Sequence, residues 1–249
     1  MIEIRNCTKR YGELLAVNDL GLDVGVGEIF GFLGPNGAGK STTIKMMVGL
    51  IRPDSGSIRI AGNDVTGSSD KAKQLIAYIP EKGYIFEKMT AWEYLKFIGG
   101  LYGMDEGTFM DNTEKYLRTF GLLDWKNEMI ANFSHGMKQR LLLTSSFMRS
   151  PKVLILDEPH NGLDPKGVKV LRDLLYESRD KGMTIVLCTH IIAIAEQMCD
   201  NIAIINKGHI IAHGSSDEIK HYAKSDDKNL EDVFLRLTSD YQEQGRAIS

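Results

Sequence analysis

Ile29-Phe-Gly-Phe-Leu33-Gly34-Pro35-Asn36-Gly37-Ala38-Gly39-Lys40-Ser41-Thr42 is the stretch that decides the fold. Its first five residues form the near-continuous apolar run of a strand buried on both faces. Gly34 to Gly39 then supply glycines and a proline that cannot continue a strand. From about Gly39 to Gly49 the pattern turns helical. The order strand, Gly-x-x-x-x-Gly-Lys-Ser, helix is one in which backbone N–H groups wrap phosphate oxygens, helped by the partial positive charge of a helix N-terminus. Lys40 is expected to neutralise the β- and γ-phosphates of a nucleotide, and Ser41 to ligate Mg²⁺. Gly34, Pro35, Asn36, Gly37, Ala38, Gly39 and Thr42 complete the expected cradle.

A second buried strand, Val153-Leu-Ile-Leu156, ends in Asp157-Glu158-Pro159. A carboxylate emerging from a central strand beside a phosphate loop is placed to hold Mg²⁺ through water, which assigns Asp157 to the metal. Glu158, one residue on, is the candidate general base for an attacking water.

Outward from these two points, short apolar runs alternate with helical patterns, which favours a largely parallel, helix-covered sheet. The opening stretch to about Val26 reads as two or three strands with period-two alternation. Ile58 to Ile60, Ile76 to Ile79 (stopped by Pro80) and Thr184 to Cys188 read as further strands. Between about Glu81 and Ser150 the texture becomes helical, around Trp92 to Leu101, Phe109 to Phe120, and His135 to Met148 capped by Ser134. Lys166 to Asp180 reads as a crossover helix after Pro165. Ile202 to Ile205 and His209 to Ala212 read as a hairpin around Lys207-Gly208. Leu230, Val233, Phe234 and Leu237 mark a short amphipathic helix.

The 249 residues, 43% hydrophobic and 25% charged, are enough for one large α/β domain with a full core. A net charge of −3 argues against holding nucleic acid by bulk electrostatics. The three cysteines are widely spaced and read as reduced core thiols. The opening residues lack a signal-peptide pattern, and the longest apolar run, Gly182 to Ala195, is short of a membrane span and contains His190. The expected location is therefore cytoplasmic, with any membrane role carried by a partner. His160, His209, His213 and His221 show no metal-ligand spacing and are assigned no role.

Phe133-Ser134-His135-Gly136-Met137-Lys138-Gln139-Arg140, lying upstream of Asp157, resembles the signature sequence of ATP-binding cassette proteins, whose commonest form is Leu-Ser-Gly-Gly-Gln. The resemblance runs from about Tyr11 to His190 with the landmarks in family order. It implies that Tyr11 stacks on adenine, that Glu81 stands at the Q-loop position as a Mg²⁺ ligand, that Asn161-Gly-Leu-Asp164 is the D-loop, and that His190 is the switch histidine contacting the γ-phosphate. The implied fold is α/β: a P-loop NTPase core with a mostly parallel sheet, an N-terminal antiparallel β subdomain and an inserted all-helical subdomain. Over residues 1–249 this gives a single ATPase domain, with the core at 1–80 and 151–220, the helical part at 81–150 and a helical tail at 221–249.

The sequence also departs from that pattern. Phe133, His135 and Met137 replace the usual Leu, Gly and Gln, while Ser134 and Gly136 keep the hydroxyl and the open backbone. Glu81 puts an anion where the family usually has a neutral glutamine. Pro80-Glu81 and the Ser-x-Gly-Met-Lys-Gln run resemble the branch serving ABC-2 type exporters. By resemblance, two copies, or one copy and a related subunit, stack head to tail around two ATP molecules. Each ATP then touches the P-loop of one chain and Ser134 and Gly136, with Asp164 nearby, of the other. Integral membrane permease subunits are expected to dock near Glu81, where Tyr84, Ile85, Phe86 and Met89 are expected as an exposed apolar loop, placing the protein on the cytoplasmic membrane face. Nucleic acid is not an expected partner. The rival readings are a cassette ATPase outside transport and a regulatory nucleotide-binding module.

Overall fold

The computed structural model describes residues 1–66, 70–222 and 229–246. Strands β1 (Ile2–Tyr11), β2 (Leu14–Val24) and β3 (Ile29–Leu33) lead into helix α1 (Lys40–Met47). Next come β4 (Ser55–Ile60), β5 (Asn63–Asp64), α2 (Asp70–Leu75) and β6 (Ile76–Ile79). Helices α3 (Ala91–Leu101), α4 (Glu106–Thr119) and α5 (His135–Phe147) follow, before β7 (Val153–Asp157), α6 (Pro165–Asp180) and β8 (Thr184–Thr189). The chain ends through α7 (Ile192–Met198), β9 (Asn201–Asn206), β10 (His209–Gly214), α8 (Ser216–Tyr222) and α9 (Leu230–Arg246). Of the tail expected at 221–249, residues 223–228 and 247–249 lie outside the described residues.

Two sheets form. The first, ordered β2-β1-β4-β5, is antiparallel and takes its register from pairs such as Ile2 with Val24 and Ile2 with Ile60. Ile2 and Ile4 on β1, Leu20 and Leu22 on β2, and Ile58 and Ile60 on β4 all point into one core, the alternation expected of half-buried strands. The second sheet, ordered β10-β9-β3-β8-β7-β6, is parallel except for β10, which returns antiparallel as a hairpin on β9. Its central strands β3, β7 and β8 are buried along their whole length, which is why they read as unbroken apolar runs.

The helices between β6 and β7 share one apolar cluster with a face of the parallel sheet and with α6, in which Tyr94, Leu95, Leu117, Phe120 and Phe147 join Ile79, Leu154, Leu175 and Leu187. Each helix start has a local cause. Thr90 and Glu93 form a reciprocal capping box on α3, Asp105 caps α4, and the Ser134 hydroxyl accepts the Met137 N–H on α5. Asp164 likewise caps α6, with Pro165 at its first turn. The segment Gly182 to Ala195 is strand β8 followed by the start of α7, and no described helix is long and apolar enough to cross a membrane.

The register brings the chemistry to one edge. Leu33 at the end of β3 stands opposite Thr189 of β8, and Asp157 at the end of β7 stands opposite Cys188. The glycine-rich loop, the acidic pair and the Thr189-His190 pair thus leave the carboxyl edge of the sheet side by side, where open parallel sheets bind ligands.

Candidate functional site

Gly39 precedes α1 with a φ of +108°, a left-handed value that suits glycine, and a Cβ there would lie 2.5 Å from the Ala16 carbonyl oxygen. The turn of the β9–β10 hairpin holds the same loop from outside, because the Gly208 N–H donates to the Ala38 carbonyl at 2.8 Å. α1 has no side-chain cap, so the N–H groups of its first turn are left for a ligand. Lys40 is buried, and its ammonium donates to the carbonyls of Gly34 at 2.5 Å and Pro35 at 3.0 Å. Loop carbonyls hold the cation where phosphate oxygens would otherwise take its protons.

A cavity of about 530 Å³ opens over this loop. Asn36, Gly37, Ala38, Gly39, Lys40, Ser41 and Thr42 form its floor, Tyr11 (48% exposed) stands at its wall, and Glu81, Asp157 and Glu158 lie on the far side. Gly34 and Pro35 do not line it and act through the carbonyls that hold Lys40. Leu14, Leu15, Ala16 and Lys207 also line it, and sequence reasoning missed all four. The Lys207-Gly208 turn was visible, but not its approach to a loop far away in the chain.

Burial pushes the Asp157 carboxyl above the usual carboxylate range. The Glu158 and Glu81 carboxylates push it the same way, while a hydrogen bond from the Cys188 thiol and the charge of Lys40 oppose them. Carboxylates gathered round one space favour a cation between them. Among the described residues no three His, Cys, Asp or Glu side chains form a ready-made metal cluster. Mg²⁺ does not need one: it takes one or two carboxylates and fills its remaining positions with phosphate oxygens and water. The Ser41 hydroxyl, Asp157 and Glu81 are an oxygen donor set of that kind and fit Mg²⁺.

Glu158 is the most constrained group of the site. Its φ is +50°, a left-handed value that is strained for a glutamate, and its side chain is 8% exposed. Oε2 accepts the Thr189 hydroxyl at 2.9 Å, and Oε1 accepts the His190 N–H at 2.9 Å. The His190 ring adds a third contact, with Nδ1 at 2.6 Å from Oε1. The backbone of the turn is tied to β8 by the Glu158 N–H donating to the Cys188 carbonyl at 2.9 Å.

Ser134, Gly136 and Asp164 do not line this cavity; Ser134 and Asp164 cap helices α5 and α6. α5 is nevertheless fixed to the catalytic turn, since the buried Gln139 amide donates to the Pro159 carbonyl at 3.1 Å. The departures in the signature have structural answers. Phe133 is buried in the helical cluster, Met137 packs against it, and the His135 ring lies over Gly162, where no side chain competes. The loop after Glu81 meets expectation in part. Tyr84 is 90% exposed and Phe86 is exposed too, although it meets the Phe97 ring edge-on at 5.6 Å, whereas Ile85 and Met89 pack against the helical cluster.

Fold and site together define a domain of the P-loop nucleotide-binding class. Residues 17–161 match the family described as ABC transporter, and the chain belongs to that family. It is 36% identical over 247 residues to the Escherichia coli protein named probable multidrug ABC transporter ATP-binding protein YbhF, covering 98% of this chain and 43% of that one. The chain therefore spans less than half the length of that relative. It is 37% identical to the daunorubicin/doxorubicin resistance ATP-binding protein DrrA of Streptomyces peucetius, covering 88% of this chain and 66% of the other. A solved structure described as the ATP-binding subunit of an ABC transporter superposes with a TM-score of 0.91 at 34% identity, covering 96% of this chain and 99% of that one.

Proposed function

We propose that the chain binds Mg²⁺ and ATP in the cavity over α1, hydrolyses the ATP, and drives an exporter through separate membrane permease subunits on the cytoplasmic face. The observation that carries this reading is the convergence of Lys40, Ser41, Glu81, Asp157 and Glu158 on one cavity that excludes Ser134 and Gly136. A cavity with floor and base but without the signature is half of a site. A second copy, or a related subunit, stacked head to tail supplies the other half, with the Ser134 hydroxyl and the open backbone of Gly136 facing phosphate at the start of α5. Asp164 lies at the start of α6 for contacts across that interface.

On binding, the Lys40 ammonium exchanges the Gly34 and Pro35 carbonyls for phosphate oxygens, a stronger charge-assisted pairing. Tyr11 stacks on the adenine. Ser41, Asp157 and Glu81 would hold Mg²⁺, which would supply neutralising charge to the phosphates. Glu158 takes the proton of the attacking water. Its carboxylate accepts from the Thr189 hydroxyl and the His190 N–H, and the His190 ring is a third partner. The His190 ring is the more exposed partner and turns to the γ-phosphate.

Export is favoured because the relatives named above carry multidrug and drug-resistance names. Purifying the full chain from membranes of cells that carry it tests the reading. A polytopic membrane protein should co-purify, and the pair should show Mg²⁺-dependent ATPase activity. Co-purification with ribosomes or nucleic acid and no membrane protein would overturn the transporter assignment.

A further inference from the structure

His160 follows the catalytic acidic pair by one proline, and its side chain is only 10% exposed. Neither ring nitrogen has a hydrogen-bond partner among the described residues. Nε2 stands 3.4 Å from Oε2 of Glu158, longer than an ordinary N–H···O hydrogen bond. The ring is tilted by 52° to that of His190, with centroids 6.4 Å apart, and Glu158 approaches both imidazoles while bonded to only one. Burial, with His190 adding to it, pushes His160 below the usual imidazole range, against the pull of Glu158. The ring is therefore neutral, with one N–H to donate. A buried imidazole without partners carries a desolvation cost that a core position does not tolerate without return.

We propose that His160 is a positioning residue for Glu158: when His190 turns to the nucleotide, the His160 Nε2–H closes on Oε2 and keeps the carboxylate aimed at the water. The handover uses what the geometry leaves open. Oε1 loses the His190 ring contact at 2.6 Å, while Oε2 keeps Thr189 and has His160 within reach of a small ring rotation. A carboxylate held only by Thr189 and the His190 backbone would swing about its last torsion, and a base misplaced by a fraction of an ångström loses rate. The inference rests on Glu158 being the base.

The test measures kcat and KM for ATP, with melting temperatures, on the full chain and its His160→Leu, His160→Gln and His160→Asn variants. His160→Leu is expected to lower kcat by about tenfold, a part of the roughly 10²–10⁴-fold a general base supplies, with KM unchanged. Its melting temperature should hold or rise, because an unpaired buried polar group has been replaced by an apolar one. Glutamine places an amide N–H near the Nε2 position and should restore most of the rate. Asparagine reaches only the Nδ1 position and should not. Should His160→Leu prove insoluble, Gln against Asn makes the same comparison. Wild-type kcat in His160→Leu, or Gln no better than Asn, overturns the proposal. Glu158→Gln measured alongside separates the two readings. If that variant keeps the wild-type rate, Glu158 is not the base and this inference falls with it. If it is inactive while His160→Leu is unaffected, only the role of His160 falls.

Discussion

Gly136 at the start of α5 lies against Gly162 in the turn before α6, so closely that a Cβ on Gly136 would sit 2.6 Å from the Gly162 carbonyl oxygen. Gly162 is crowded from the same side, because a Cβ on it would lie 2.4 Å from Cδ2 of the His135 ring. The start of α5 and the turn before α6 are thus packed closely, Gly136 on the Gly162 backbone and the His135 ring over Gly162. Gly136→Ala should therefore destabilise by about 1–3 kcal/mol, the usual cost of overpacking. In a chain of this size each kcal/mol lowers the melting temperature by about 2–4 °C. Gly100 on α3, where an added Cβ would meet no atom within 4 Å, is the control, since alanine there should be neutral or stabilising. Equal melting temperatures for Gly136→Ala and the wild type would remove the packing argument.

Lys40 is the buried cation of the phosphate loop, and its ammonium is held by two loop carbonyls until an anion arrives. Lys40→Ala removes charge-assisted bonds worth about 1.5–3 kcal/mol each, so ATP affinity should fall by at least about 10–150-fold. Equilibrium binding of ATP by the variant at wild-type affinity would sink the phosphate-site assignment.

The loop after Glu81 offers a cleaner probe of docking than sequence alone suggests. Tyr84 projects into solvent while Ile85 packs inward, and the same loop is bridged to α5 by Glu87 and Lys138 at 2.5 Å. Tyr84→Asp should change the stability of the chain by no more than about 0.5 kcal/mol and leave its own ATPase activity intact. Co-purification with the permease should fail. Ile85→Asp should instead lower stability, because it buries a charge against the helical cluster. Parallel loss of fold and partner in both variants would mean that Tyr84 has a structural role.

These contrasts mark what the sequence could tell. β3, β7 and β8 were legible because a strand buried on both faces leaves an unbroken apolar run, and the cap residues Ser134 and Asp164 were legible because N-caps are local. Helix α7 was not, since its seven residues, Ile192–Met198, give too few turns to show a period. Short helices α2 and α8 gave too few turns to show a period. Within the site, spacing along the chain picked out the glycine-rich floor and the Asp157-Glu158 pair that line the cavity. Lys207 and Thr189 join it only through tertiary contact, which no local pattern records, and His160, though next to the acidic pair in the chain, showed no metal-ligand spacing to single it out.

The sharpest test concerns the base and the shared site together. Glu158 accepts from the Thr189 hydroxyl on Oε2 and from the His190 N–H on Oε1; a glutamine there keeps its carbonyl oxygen for the His190 N–H, and its amide can donate to a rotated Thr189 hydroxyl. Glu158→Gln thus preserves the shape of the turn but removes the base, worth about 10²–10⁴-fold in rate, and one negative charge. ATP binding should survive while turnover collapses, and unhydrolysed ATP should hold two chains together. Light scattering of the variant with ATP and Mg²⁺ should shift toward the dimer. Adding Ser134→Arg should reverse that shift, because the Ser134 hydroxyl lies outside the cavity of its own chain and meets nucleotide only across the interface. Turnover at the wild-type rate in Glu158→Gln would reject the base. Binding without turnover in a chain that stays monomeric would move the question to the membrane partner, and the same measurement on the purified pair then decides it. A dimer that forms there and dissolves with Ser134→Arg keeps the shared site, whereas ATP held tightly by Ser134→Arg in that pair rules it out.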